Sequence, residues 1–90
     1  MAKKPKQEPI EEVRIGSIKA AIWRNDTDKG VRFNVTFQRL YRTEQGKWQS
    51  TASFGRDDLL LLMKVADTTH TRVMQLLDQH RDTRQEEATD

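Results

Sequence analysis

The sequence predicts an α+β domain: an antiparallel β-meander of three to four strands, then one long C-terminal α-helix packed on one sheet face. Three observations predict it. Apolar and polar residues alternate in three successive runs between Val13 and Phe54, which is the period of a half-buried strand. Two clusters of turn formers, NDTDKG (25–30) and TEQGKW (43–48), separate those runs. Beyond Asp57 the apolar spacing changes to three and four residues, the period of a helix face.

The first run, VRIGSIKAAIWR (13–24), changes parity at Gly16-Ser17. Val13 and Ile15 share one parity, and Ile18, Ala20 and Ile22 share the other. A one-residue slip turns every side chain to the opposite face, so a bulge or bend at Gly16 is expected, or two short strands in place of one. The second run, GVRFNVTFQRLYR (30–42), sets Val31, Phe33, Val35 and Phe37 against Arg32, Asn34, Thr36 and Gln38. Its parity breaks late: Arg39 takes an apolar position and Leu40 a polar one. The third run places Trp48, Ser50, Ala52 and Phe54 on the expected core face, and Lys47, Gln49, Thr51 and Ser53 outward.

Gly55 ends the sheet, and Asp57 or Asp58 can cap the helix, whose N-terminal end favours carboxylates. Leu59, Leu62, Met63, Ala66, Val73 and Leu77 form its stripe, which Leu60, Leu61, Val65 and Met74 widen beyond what one sheet face needs. The run DTTHT (67–71) is a weak helix former because threonine is β-branched, so a kink is the main risk there. A continuous helix from Asp57 to about Gln79 is roughly 35 Å long, against about 20 Å for a typical strand. It overhangs its sheet, and a two-fold dimer through Leu60, Leu61, Val65 and Met74 is the simplest partner.

Composition bounds the function. Ninety residues hold one small domain, with 33% charged and 34% hydrophobic residues and hence a lean core. Residues 1–12 and 81–90 lack apolar periodicity and are expected to be disordered arms around a domain at 13–80. There is no cysteine, so no disulfide framework and no thiolate metal site. No apolar run approaches the roughly 20 residues of a membrane span, and the N-terminal stretch has no signal-peptide character. The expectation is a cytoplasmic protein.

Catalysis finds little support. The two histidines, His70 and His80, sit on the helix without a glycine-framed serine or a cluster of metal ligands. The segment FGRDD offers one glycine followed by acids, the reverse of a phosphate cradle. No enzyme activity, metal, cofactor or small-molecule substrate is expected.

Charge points elsewhere. The net charge is +2, but residues 13–56 carry +6 and residues 57–90 carry −4. With Ile18, Ala20 and Ile22 facing the helix, Lys19, Ala21 and Trp23 face outward beside Arg32, Asn34, Thr36 and Gln38, and Lys47 joins them from the third strand. Arg14, Arg24 and Arg42 are candidates for added phosphate contacts. A positive surface with an aromatic stacking platform is what single-stranded nucleic acid requires. Any sheet covered on one side also shows polar residues on the other; the concentration of positive charge favours a ligand over water alone.

The stretch VRIGSIKAAIW, and the passage from TASFG into the helix at RDDLL, resemble the transcriptional positive-cofactor family of single-stranded-DNA binders and the related Pur and Whirly domains. The likeness spans about residues 13–78. It implies four strands before the helix, a homodimer, and binding of single-stranded DNA or RNA across the sheets without catalysis. The segment SFGRDDLLLLMKVAD is also similar to small bacterial proteins of unassigned role. A rival expectation is a protein–protein adaptor that works through the Leu/Met stripe.

Overall fold

The computed structural model describes residues 8–88. Four strands, β1 (Glu11–Ile15), β2 (Ile18–Thr27), β3 (Gly30–Arg42) and β4 (Trp48–Thr51), form one antiparallel sheet in chain order, and a helix, α1 (Leu59–Ala88), follows. This is the expected α+β meander, with the first run resolved into two strands. Gly16 takes φ 60° at the first central position of a two-residue hairpin, and Ile15 pairs with Ile18 across it. Glycine there is what a type II′ turn demands, and a Cβ would also lie 3.3 Å from Leu61 Cδ2.

Pairing sets which residues share a face. Val13, Ile15, Ile18, Ala20 and Ile22 point to one side with Val35 and Phe37 of β3. Ile18, Ala20 and Ile22 are fully buried, as is Val65 of α1. The helix packs chiefly on β2 and β1, and alanine at position 20 lets it approach closely. Each fully buried large aliphatic contributes about 1.5–3 kcal/mol, so this short list is a lean core for a domain of this size.

The helix is continuous through DTTHT. Thr69 is buried and its hydroxyl donates to the Val65 carbonyl at 2.6 Å; Thr71 does the same to Asp67 at 3.2 Å. Back-bonding to the preceding turn satisfies the hydroxyls inside the helix, and burial of Val65 and Thr69 overrides their weak propensity. A turn of 3₁₀ helix (Arg56–Asp58) leads into α1, with Asp58 accepting the Gly55 N–H at 2.8 Å.

Several boundaries and positions differ from expectation. Glu11 and Glu12, read as part of an arm, open β1: Ile10 N–H donates to Ile22 O at 2.8 Å, and Glu11 receives Arg72 Nε at 2.7 Å. That hydrogen bond, aided by the Glu11 charge and opposed by burial, raises the Arg72 pKa above its ordinary value. The stability it lends is complete below the ordinary arginine pKa and is lost as pH rises through the raised one. At the other end α1 runs to Ala88 through the expected tail, whose Arg, Gln, Glu and Ala residues are strong helix formers. The remainder of the expected arm and tail, 1–7 and 89–90, lies outside the described residues.

Candidate nucleic-acid interface

The helix leaves one sheet face open, and register populates it. Lys19 pairs with Gln38, Ala21 with Thr36, Trp23 with Asn34, and Asn25 with Arg32. On the other side of β2, Arg14 pairs with Lys19 and Glu12 with Ala21. Strand parity therefore puts Arg14, Lys19, Trp23, Arg32, Asn34, Thr36 and Gln38 on one surface, as expected. Arg42 joins them at the far end of β3.

Relief on this surface comes from one small residue. Ala21 is 7% exposed, walled in by its larger neighbours. Around it lies an open depression of about 750 Å³, lined by Glu8, Pro9, Glu12, Lys19, Ala21, Trp23, Thr36 and Gln38. A second hollow of about 330 Å³, lined by Trp23, Asn25, Asn34 and Thr36, lies on the other flank of the indole. Trp23 thus stands as a ridge between two hollows. Its Nε1–H donates to Thr36 Oγ1 at 2.9 Å, which satisfies the indole and fixes the ring across β3.

Cations divide by face. On the helix side, Arg24, Arg39 and Arg72 pair with Asp26, Asp58 and Glu11 at 3.1, 3.4 and 2.7 Å. On the open face, among the described residues, Arg14 and Arg42 donate only to the carbonyls of Gly16 and Gly46, which carry no net charge. Arg32, Asn34 and Gln38 make no side-chain bond to another described residue. Lys19 keeps a loose contact with Glu12 at 3.9 Å. Arg14, Arg32 and Arg42 thus have no carboxylate partner among the described residues of the open face.

Not every expected site residue belongs here. Arg24 pairs with Phe33 on the helix side of the sheet and is tied to Asp26, so it does not share the surface of Trp23. Lys47 lies outside β4, where its backbone pairs with Thr43 to close the hairpin, and so does not extend the polar face of the strand. The loop Glu44–Gly46, with Gly46 at φ 80°, places Trp48 opposite Arg42 and Ser50 opposite Leu40. Trp48 is consequently on the open face and 65% exposed, not in the core. Phe54 does pack against the core, but β4 ends at Thr51 and the irregular stretch after it resets direction. Gln49 turns to the helix side and accepts the Tyr41 hydroxyl at 2.8 Å.

The late parity break in β3 is not a bulge, since pairing runs unbroken through Arg39, Leu40 and Tyr41. Two residues expected at a dimer contact are spoken for: Val65 is fully buried against its own sheet and Leu61 packs on the same core. Leu60 and Met74 remain exposed at 75% and 51%.

Sequence reasoning placed Ala21 on this face, as the register confirms, and missed Trp48. Parity counted from β3 through a three-residue loop would have found Trp48; only tertiary structure reveals the hollow over Ala21. Among the described residues there is no group of three candidate metal ligands and no helix long and apolar enough to cross a membrane. No protein-family model, curated protein or solved structure matches this chain, so its residues alone carry a functional reading.

Proposed function

We propose that this protein binds single-stranded DNA or RNA on the open face of its sheet, without catalysis. One observation carries the reading: a pinned, partly exposed tryptophan stands between two hollows on the face that also holds Arg14, Arg32 and Arg42, none of them ion-paired to a described residue. A base stacks on Trp23, an interaction worth about 1–3 kcal/mol. Arg32, Lys19, Arg14 and Arg42 meet phosphates, and Asn34, Thr36 and Gln38 offer hydrogen bonds to base edges. Glu8 and Glu12 make the larger hollow a poor place for phosphate and a good one for a base, whose exocyclic amines donate. Trp48 adds a second platform, up to about 26 Å along β3 from Trp23 at roughly 3.3 Å per residue.

The architecture that prompted the likeness to positive-cofactor, Pur and Whirly domains is in keeping with this reading, as is a cytoplasmic location. It calls for no cofactor, metal or small-molecule substrate. The exposed Leu60, Met63 and Met74 of α1 favour a second reading, a protein–protein adaptor.

Titration with an oligo-dT strand tests the first. Tryptophan emission is quenched, and affinity falls steeply as salt rises because phosphate contacts release counterions. A correctly folded protein that fails to bind at low salt refutes the reading.

A further inference from the structure

The helix is apolar on two opposite faces. Leu62, Val65, Thr69 and Leu76 turn toward the sheet or its edge, with Val65 and Thr69 fully enclosed. Roughly half a turn away lies a second stripe that no described residue covers. It consists of Leu60, Met63, Met74 and Leu77, exposed at 75, 63, 51 and 39%, with Asp67 and His70 between them. Leu60, Asp67 and Met74 recur every seven residues, and so do Met63, His70 and Leu77: these are the a and d positions of a heptad seam.

The order within the stripe is self-complementary. Leu60 and Leu77 are equidistant from the point midway between Thr68 and Thr69; so are Met63 and Met74, and so are Asp67 and His70. A two-fold axis at that point, with the helices antiparallel, satisfies all three pairs at once. Leu60 meets the partner's Leu77, Met63 meets the partner's Met74, and Asp67 meets the partner's His70. Each is an a position facing a d position. A parallel pairing would set Asp67 against the partner's Asp67, a like-charge contact.

We infer that the outer stripe of α1 is the seam of a homodimer, an antiparallel helix pair in which Leu60, Met63, Asp67, His70, Met74 and Leu77 contact a second copy of this chain. The occupant is a second copy because the stripe is complementary to itself, apolar side chain to apolar side chain and the Asp67 carboxylate to the imidazole N–H of the other copy. Large exposed apolar side chains grouped on one face mark an interaction surface; here Leu60 with Met63 and Met74 with Leu77 flank the polar pair Asp67 and His70, which specifies register in the manner of buried polar residues in coiled coils. The dimer has four layers, sheet–helix–helix–sheet, and its two open faces look outward. Nucleic-acid binding and dimerisation therefore use opposite sides of each protomer, and neither depends on the other.

Light scattering without nucleic acid gives the first test: the expected mass is twice the 10.5 kDa of one chain at tens of micromolar. A monomer at that concentration overturns the inference and leaves the stripe to a different protein. Met63→Glu, at a position exposed in the protomer, raises the dimer dissociation constant at least about tenfold while helix content by circular dichroism is kept. Asp67→Lys and His70→Glu each weaken the dimer, and the double variant restores it; failure of the double variant to recover refutes the central pair.

Register is read by cross-linking, since the chain has no cysteine of its own. An oxidised equal mixture of the Met63→Cys and Met74→Cys chains forms a covalent dimer. Neither chain cross-links alone, because equivalent positions lie about 16 Å apart along the helix axis at 1.5 Å per residue. Self-cross-linking of Met63→Cys means a parallel pair and overturns the assignment.

Discussion

Arg39 of β3 reaches across to the start of the helix, where its Nε lies 3.4 Å from Oδ2 of Asp58. That same carboxylate oxygen accepts the Gly55 N–H at 2.8 Å, and Arg39 Nε donates to the Ser53 carbonyl at 3.1 Å. One arginine and one aspartate thus fasten the sheet-to-helix junction. Asp58→Ala is expected to cost about 1–2 kcal/mol, the scale of a lost cap, and to lower Tm by roughly 4–8 °C per kcal/mol. Asp58→Asn keeps the acceptor and most of the stability. Thermal and urea unfolding of the two variants separate the cap from the charge.

Ala20 and Ala21 are neighbours in sequence and opposites in role. Ala20 is fully buried beneath α1, whereas Ala21 floors the hollow on the open face. Ala20→Leu overpacks the core and costs about 1–3 kcal/mol. Ala21→Leu grows into open space and changes stability by less than about 1 kcal/mol, but fills the hollow and weakens oligonucleotide binding. Equal effects of the two substitutions on unfolding would contradict the assignment of faces.

Trp23 is expected to dominate binding to a labelled single strand measured by anisotropy. Trp23→Ala loses about 1–3 kcal/mol of affinity. Thr36→Val removes only the acceptor for the indole N–H, and loses about 0.5–1.5 kcal/mol. Trp48→Ala weakens long strands more than short ones, because only a strand that spans both platforms engages it.

Salt dependence distinguishes the two faces. Each phosphate contact to a single strand adds about 0.7 to the magnitude of the slope of log affinity against log salt. Arg32→Gln, on the open face, lowers that magnitude by about this amount. Arg24→Gln, on the helix side and paired with Asp26, leaves it unchanged.

Gly16→Ala tests the first hairpin. A side chain at φ 60° costs about 1–2 kcal/mol, and here its Cβ would also crowd Leu61 Cδ2 at 3.3 Å. Unfolding experiments should show a destabilisation at or above that range, with the β2–β3 pairing retained in amide hydrogen exchange. A neutral substitution would mean that the turn does not need its positive φ.

Much of the fold was legible because its signals are local. The parity change at Gly16-Ser17 marked the turn between β1 and β2, and the alternation of Ile18, Ala20 and Ile22 named the buried face before any packing was known. From that face followed the outward positions of Lys19, Trp23, Arg32, Asn34, Thr36 and Gln38. Signals that depend on how pieces meet were read less well. Trp48 was assigned to the core by its parity with Phe54, yet pairing across the Glu44–Gly46 loop governs it.

By itself, then, the sequence determined the order of strands and helix, the buried face of β2 and β3, and the polar character of the other face. These follow from periodicity and turn chemistry, which act between near neighbours in the chain. Tertiary structure decided the rest: that Arg39, on the helix-side parity of β3, holds Asp58, that β4 turns Trp48 outward, and that α1 buries Val65 while leaving Met63 exposed. Such outcomes depend on which surfaces meet in space, and a single chain's local pattern does not encode that directly.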